Sequence, residues 1–548
     1  MKQRTFGEHD DVDFIVVGSG AAGGVLAKEL STSGFNVVVL EQGPWQQSAQ
    51  FSHDELEVER QFAMLNTALE TQTFRATESE PSKAGVARGL LYRRAVGGSS
   101  VHFAANYWRF RPIDFKEYSK YGAIGGASFA DWPLTYDELE PYYTKVDYEI
   151  GVSGAPGPFD APRSRPFALG PMPNKSSGVI LERAARALGL HSQVAPMAIL
   201  SSEYQGRSAC QACGRCSYYG CEFGAKSSSL VTVIPKAQET GRCEVRADST
   251  VLRVETNAKG RATGVVYADR NGRERRQAAK AVVLAANGAE TTRLLLMSAT
   301  PTFPHGLANS SGNVGRNIMF NGYAYTVGRF EHPLNEYKGA VASRVVLDFY
   351  EADPTRGFYG GGGIDSRFPF GPIAFAMNGL PAETPQWGSE YKRLLRESYT
   401  HSTAFMSHIT SLPVATNTVT LDEAHTDRFG RPNLVLTYQD HPDDMKAKQW
   451  FLDKTDEMMH AAGATRVWNQ PIVPTTGGVH LLGTARMGVN PRDSVVDRYH
   501  RAHDVPNLFI CDGSSFVTSG RGQPTMTIQA LAFRAADHIA RFARSHEI

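Results

Sequence analysis

One stretch near the amino terminus restricts the fold more than any other. Asp13-Phe14-Ile15-Val16-Val17 reads as a buried strand, and Gly18-Ser19-Gly20-Ala21-Ala22-Gly23 follows at once. A helix is expected through Val25, Leu26 and Leu30, closed by Gly34, and a second strand, Val37-Val38-Val39-Leu40, ends at Glu41. Alone, a G-x-G-x-x-G is weak and fits any glycine-rich turn. Here strand, glycines, helix, second strand and terminal acid come in order, and Glu41 lies 18 residues after Gly23, about where a ribose-binding carboxylate belongs. Gly18, Ser19, Gly20, Ala22 and Gly23 are therefore read as a dinucleotide cradle. Glycines let the backbone reach a pyrophosphate, and a helix N-terminus faces its charge.

This motif does not separate FAD from NAD. Three later segments bear on the choice: Arg94-Ala95-Val96-Gly97-Gly98-Ser99-Ser100, a second glycine-rich loop; Ala281 to Glu290, a strand ending in small residues before a helix; and Asn507-Leu508-Phe509-Ile510-Cys511-Asp512-Gly513. A nicotinamide enzyme needs one cradle and releases its cofactor, whereas several cradles spread along the chain suit a long cofactor held throughout turnover. At 548 residues two domains are expected. The balance of 57 basic and 56 acidic residues gives no reason to expect nucleic acid. Met1 to Phe6 lacks the apolar stretch of a secretory signal, so the expectation is cytoplasmic, with periplasmic delivery by a signal-bearing partner still compatible. No segment approaches the roughly 18 to 20 apolar residues of a membrane helix.

The chain resembles the GMC (glucose–methanol–choline) oxidoreductases, and within them the bacterial dehydrogenases of sugars, gluconate and glycosides. The resemblance rests on the first glycine loop, Gly97-Gly98-Ser99-Ser100, Trp108-Arg109 with Asp114-Phe115, and Asp131-Trp132-Pro133-Leu134. It continues through Glu140-Pro141-Tyr142-Tyr143, Asn417 to Asp422, His480-Leu481-Leu482-Gly483-Thr484 and Gln523-Pro524-Thr525. It implies an α/β fold with a Rossmann-like FAD-binding domain and an α+β substrate domain built on an antiparallel sheet. Expected boundaries are 1–160, 205–320 and 477–548 for the first, and 161–204 and 321–476 for the second. It also implies flavin contacts from Gly97, Gly98, Ser99, His102, Asn106, Val251, Ala285, Ala286, Asp512, Gly513, Pro524 and Thr525.

The resemblance places His480 above the flavin as the base for the hydroxyl proton, while hydride goes to flavin N5. Imidazole, with a pKa of about 6.5, is suited to that task; the plain alternative is a hydrogen-bonded structural histidine. The second catalytic position of the family is usually Asn or His, and here it is Gln523. Glutamine hydrogen-bonds an alcohol oxygen but accepts no proton, which leaves His480 as the only base; a capping role is the alternative. Pro524 suits a first helical turn, and Ile528, Leu531, Ala532, Ala535 and Ile539 recur at helical spacing. His102 stands where some relatives attach flavin covalently and most do not.

Four of the six cysteines, Cys210, Cys213, Cys216 and Cys221, form a C-x2-C-x2-C-x4-C run. Such spacing wraps an iron–sulfur cluster, and some relatives carry one in a comparable loop; zinc, free thiols and a local disulfide are the other readings. A cluster would pass electrons singly to a cytochrome c or quinone-linked partner, with a small accessory subunit. Tyr359-Gly360-Gly361-Gly362-Gly363 reads as flexible, and Phe368-Pro369-Phe370-Gly371-Pro372 as an aromatic loop that either covers the pocket or is surface structure. The leading functional expectation is a dehydrogenase oxidising a sugar, glycoside or similar alcohol. The rivals are an oxygen-reducing oxidase and a flavin-bearing electron-transfer subunit without its own substrate.

Overall fold

Apolar runs without polar alternation belong in a sheet covered on both faces. Three such runs, Phe14–Val17, Val37–Leu40 and Ala281–Leu284, are buried at every position. In the computed structural model, which describes residues 4–8, 10–62, 71–85, 89–214, 216–368 and 370–548, they form the middle of a parallel sheet. Its order is Leu508–Ile510, Ala281–Leu284, Phe14–Val17, Val37–Leu40, Cys243–Arg246. The helix after the first glycine loop, Ala21–Thr32, packs against Thr525–Arg544 and Val233–Glu239. Leu531, Ala532, Ala535 and Ile539 of the helix Thr525–Arg544 are buried, and Ile528 is partly buried against the same core.

A second layer is antiparallel. Six strands run in the order Arg466–Asn469, Gly322–Arg329, Ser402–Ile409, Gly362–Ser366, Arg344–Val346, Ser192–Val194. Helices Pro442–Ala461 and Ser176–Ala187 cover one face, where Ala324, Ile364, Phe405, Ile409 and Phe451 are buried. Side chains alternate across a strand, and the register pairs Tyr323 with His408 and Gly363 with His408. Tyr323, Asp365 and His408 are thereby set on the opposite face, where they meet His480, Asn106 and Gln523.

A smaller sheet joins Thr418–Thr426 and Pro432–Thr437 as a hairpin, turned at Asp427–Arg431, to Thr73–Arg75 and Lys83–Ala84. It links segments that the sequence division assigns to different domains. Among the described residues no helix is long and apolar enough to cross a membrane.

Candidate active site

Ser19 ties the two glycine loops together. Its hydroxyl donates to Glu41 at 2.8 Å and accepts from the Gly97 N–H at 3.0 Å. Glu41 is buried and also accepts from the N–H groups of Ser19 (3.0 Å) and Gly43 (2.9 Å). Three of a carboxylate's roughly four lone-pair positions are thus filled, which leaves one for a hydroxyl. Burial pushes Glu41 above its ordinary acidity range, against those hydrogen bonds. Backbones meet closely here: a Cβ on Gly23 would lie 2.0 Å from the Gly18 carbonyl oxygen, and one on Gly98 (φ +57°) 2.8 Å from Gly20 Cα. At Gly20 a Cβ would meet nothing nearer than 3.9 Å, so space opens beside a helix start. That arrangement fits a diphosphate.

The remaining cofactor candidates surround this cradle unevenly. Asp512 is buried and accepts from Ser514 N–H (2.8 Å), Asn287 N–H (2.9 Å) and Thr291 Oγ1 (2.7 Å), and so joins the ends of two sheet strands beside Ala285 and Ala286. Ser99 is exposed and accepts from Arg93 N–H at 2.9 Å. His102 is buried; its Nε2 meets Gln46 Oε1 at 3.1 Å while Nδ1 has no partner. Burial, then Arg93 and Lys226, pull that imidazole down to about 2, so it is neutral. Val251 lies half-buried in strand Thr250–Thr256, its carbonyl accepting from Arg431 at 3.0 Å. Asn106 faces a different cluster, described below.

His480 follows the short strand Gly477–Gly478 and precedes a segment wedged against Asp512–Gly513. Gly483 N–H donates to Gly513 O at 3.0 Å, Ala485 N–H to Ser514 O at 2.8 Å, and a Cβ on Gly513 would lie 2.7 Å from Leu481 O. The imidazole is half-buried, with Tyr323 Oη 3.1 Å from Nδ1. Burial, then the fields of His408 and Arg367, pull it down to about 3, which holds it neutral at physiological pH.

Gln523 ends a buried loop before the helix Thr525–Arg544, whose first residue follows Pro524. Its amide does not cap that helix; Nε2 lies 2.8 Å from His408 Nδ1. The other His408 nitrogen, Nε2, lies 2.9 Å from Asp365 Oδ2. Asp365 Oδ2 also accepts from Asn106 Nδ2 at 2.7 Å and from Arg367 at 2.6 Å. Burial alone would raise Asp365, but Arg367 and His408 outweigh it and hold the carboxyl below the usual range. Burial is likewise the largest influence on His408, lowering it against the pull of Asp365. Trp108 sets an edge against His408 at 5.2 Å between ring centres. Its indole lies where a Cβ on Gly363 would come within 2.7 Å, so glycine is required opposite His408.

His480 and Gln523 are thus joined through Tyr323 and His408, whose rings lie 5.6 Å apart. Tyr323, Asp365, Arg367 and His408 were missed by sequence reasoning, because no motif contains them. The strand that carries His408, Ser402–Ile409, does not alternate between polar and apolar residues and is buried almost throughout, so nothing local marks the histidine. Other motif residues are buried scaffolding: Arg109 pairs with Asp147 (2.5 Å) and Glu140 (2.9 Å), and Trp132 Nε1 donates to Thr518 at 2.9 Å.

Two expectations are corrected. Residues Gly360 to Gly363 are buried and enter the strand Gly362–Ser366, so they are not a flexible hinge. Phe368 is buried on Phe375 and Tyr399, and half-buried Phe370 packs on Phe375, so this loop belongs to a core cluster rather than to the surface; Pro369 lies outside the described residues. The cysteine loop also departs from expectation. Among the described residues no group of three or more His, Cys, Asp or Glu is arranged to hold a metal, and the cysteines are free thiols. The loop is instead braced by buried Lys226, which donates to the carbonyls of Phe103 (3.0 Å), Cys216 (3.0 Å) and Tyr219 (2.6 Å). Burial and the neighbouring sulfurs push Cys213 up to about 11, a protonated thiol. The iron–sulfur and zinc readings find no ligand set in Cys210, Cys213, Cys216 and Cys221.

Known proteins match along nearly the whole chain. Models of the GMC oxidoreductase family match residues 12–321 and 413–532. The chain is 34% identical to a 2-methyl-1,2-propanediol dehydrogenase of Mycolicibacterium austroafricanum, covering 97% of this chain and 96% of that one. It is 29% identical to the fructose dehydrogenase large subunit of Gluconobacter japonicus, over 96% and 97%. The crystal structure of a pyridoxine 4-oxidase from Mesorbium loti superposes with a TM-score of 0.64 at 17% identity, covering 98% of this chain and all of that one, which shows a shared fold. The chain belongs to the GMC oxidoreductase family and carries its FAD-binding fold.

Proposed function

We propose that the protein oxidises a hydroxyl group of a small polyol, sugar or glycoside to a carbonyl, with His480 as the base. The observation that carries this reading is the convergence of His480 and Gln523 on one polar cluster, beside the Asp512–Gly513 strand end and the glycine cradle. Bound FAD would supply the hydride acceptor. Gly18, Ser19, Gly20, Ala22, Gly23, Gly97 and Gly98 would hold its diphosphate and Glu41 its ribose. Asn106, His102, Asp512, Gly513, Pro524 and Thr525 would line its remaining length, with Ser99, Val251, Ala285 and Ala286.

His480 works as a base only in one tautomer. With its Nδ1–H donated to Tyr323, Nε2 keeps a lone pair for the substrate proton; burial holds the ring neutral, which leaves that lone pair free at neutral pH while making it a weaker base than an exposed imidazole. A positioned base contributes about 10²–10⁴-fold in rate. A passive electron carrier has no need of such a group, which disfavours the electron-transfer reading. His102 is read as a non-covalent contact, so acid precipitation should leave the yellow colour in the supernatant.

Electrons are proposed to leave for an acceptor other than oxygen, through a cytochrome c or quinone-linked partner and an accessory subunit. The Gluconobacter japonicus relative is the large subunit of a fructose dehydrogenase, which supports the expectation of an accessory subunit. The test is anaerobic mixing of purified holoenzyme with a panel of alcohols while the flavin absorbance near 450 nm is followed. Bleaching by at least one polyol is expected; no bleaching by any alcohol refutes the proposal. Dye reduction without peroxide release in air would support the dehydrogenase over the oxidase.

A further inference from the structure

A cavity of about 640 Å³, built from residues other than those around His480, is lined by parts of 111–120 and 158–162 and by Glu351. Its size is within the range of sites that hold small molecules. Arg111 forms part of the wall. Its guanidinium sits over the Tyr350 ring, 4.0 Å from the centroid, and 5.6 Å from that of Phe159. Such contacts fix a guanidinium in place without using its N–H donors. The carboxyls whose fields reach it, Asp114, Glu351 and Asp160, are all engaged elsewhere. Asp114 Oδ1 accepts from Arg521 at 2.5 Å, and Oδ2 accepts from Tyr350 Oη and from the Arg111 backbone N–H, both at 2.6 Å. Asp160 accepts from Gly157 N–H (3.0 Å) and Gln193 Nε2 (2.7 Å), and Glu351 pairs with Lys120 at 2.8 Å. Among the described residues the Arg111 side chain therefore makes no hydrogen bond or ion pair. Nη2 is buried without a partner, whereas Nε and Nη1 are not enclosed and so reach solvent. Lys116, exposed on the same wall, has no partner among the described residues either.

We propose that this cavity is a second, non-catalytic site that binds a small amphiphilic monocarboxylate, with its carboxylate on Arg111, its charge further balanced by Lys116, and its apolar body on Ile113, Phe159 and Ala161. A pre-fixed guanidinium without a protein partner offers a charge-assisted hydrogen bond that no side chain of the protein competes for. The wall also carries Asp160 and Glu351, so a doubly charged ion such as phosphate meets a repulsion that a single charge largely escapes. Ile113, Phe159 and Ala161 supply apolar surface that a bare inorganic ion leaves uncovered. No bond is made or broken at this site, and the proposal stands independently of the oxidation assigned to His480.

Saturation-transfer NMR of the wild-type holoenzyme, titrated with hexanoate, hexanamide, acetate and inorganic phosphate, tests this. Hexanamide keeps the shape and loses the charge, whereas acetate keeps the charge and loses the apolar body. Hexanoate is expected to bind at least about tenfold tighter than each of the others, the worth of one charge-assisted hydrogen bond or of a few buried methylenes. Arg111→Gln should weaken hexanoate by at least about tenfold. Lys116→Glu should weaken it by at least about threefold, and because Lys116 is exposed this variant decides the matter even where Arg111→Gln fails to fold. Hexanoate affinity unchanged in either folded variant would overturn the proposal. So would hexanamide or phosphate as tight as hexanoate, or no hexanoate binding to wild type.

Discussion

Arg521 offers the sharpest structural test, because it lies two residues before Gln523 and is wholly enclosed. Its guanidinium pairs with Asp114 at 2.5 Å and with Glu117, and all three side chains are at most 1% exposed. Burial raises Glu117, while Arg521 is the largest influence holding it down. Arg521→Met fills similar space but leaves two buried carboxyl groups without their cation. Breaking a buried pair in this way costs about 3–5 kcal/mol, against a total stability of order 5–15 kcal/mol. With an unfolding entropy of about 2.1 cal/mol/K per residue over 548 residues, each degree corresponds to roughly 1.2 kcal/mol, so Tm should drop by about 3–4 °C. Calorimetry of the holoenzyme measures this. Adding Asp114→Asn and Glu117→Gln removes the orphaned charges and should restore at least half of the loss. A drop below about 1 kcal/mol, or no recovery in the triple variant, would refute the reasoning.

Two further expectations follow from the geometry. His500 is fully buried at φ +65°, donates Nδ1–H to Ile510 O at 3.0 Å, and is held to about 3 by burial and then by Arg534. Its folded pKa lies below the unfolded 6.5, so its contribution is complete above pH 6.5 and lost as pH falls towards 3. The slope is about 1.4 kcal/mol per pH unit. His500→Asn, which tolerates positive φ, should flatten urea-derived stability between pH 6.5 and 5 by about 2 kcal/mol; an unchanged slope clears His500 of that role. Gly23→Ala would force a methyl to 2.0 Å from a carbonyl oxygen. The variant should purify folded but nearly colourless, and a normal flavin-to-protein absorbance ratio would contradict the cradle.

The parts of this protein that were legible in its sequence are the parts whose cause is local. Phe14–Val17 and Ala281–Leu284 announce a doubly covered sheet because apolar burial leaves no alternation. The glycine loop announces itself because Gly18 and Gly23 must let backbones touch. The Asp365–His408–Gln523 arrangement was invisible because it depends on the register between two strands and on a loop more than a hundred residues further on. Gly360 to Gly363 misled for a related reason. A glycine run suggests mobility, yet here Gly363 makes room for Trp108, a contact no local pattern encodes. The cysteine spacing misled because the conformation of that loop is set by Lys226 and its carbonyl partners.

The central claim is that His480 takes the proton of the alcohol being oxidised. Anaerobic stopped-flow bleaching of His480→Ala, loaded with as much flavin as wild type and given the best alcohol of the panel, tests it directly. The rate is expected to fall by about 10²–10⁴-fold. A rate within about threefold of wild type, at equal flavin content, would remove this imidazole from the chemistry.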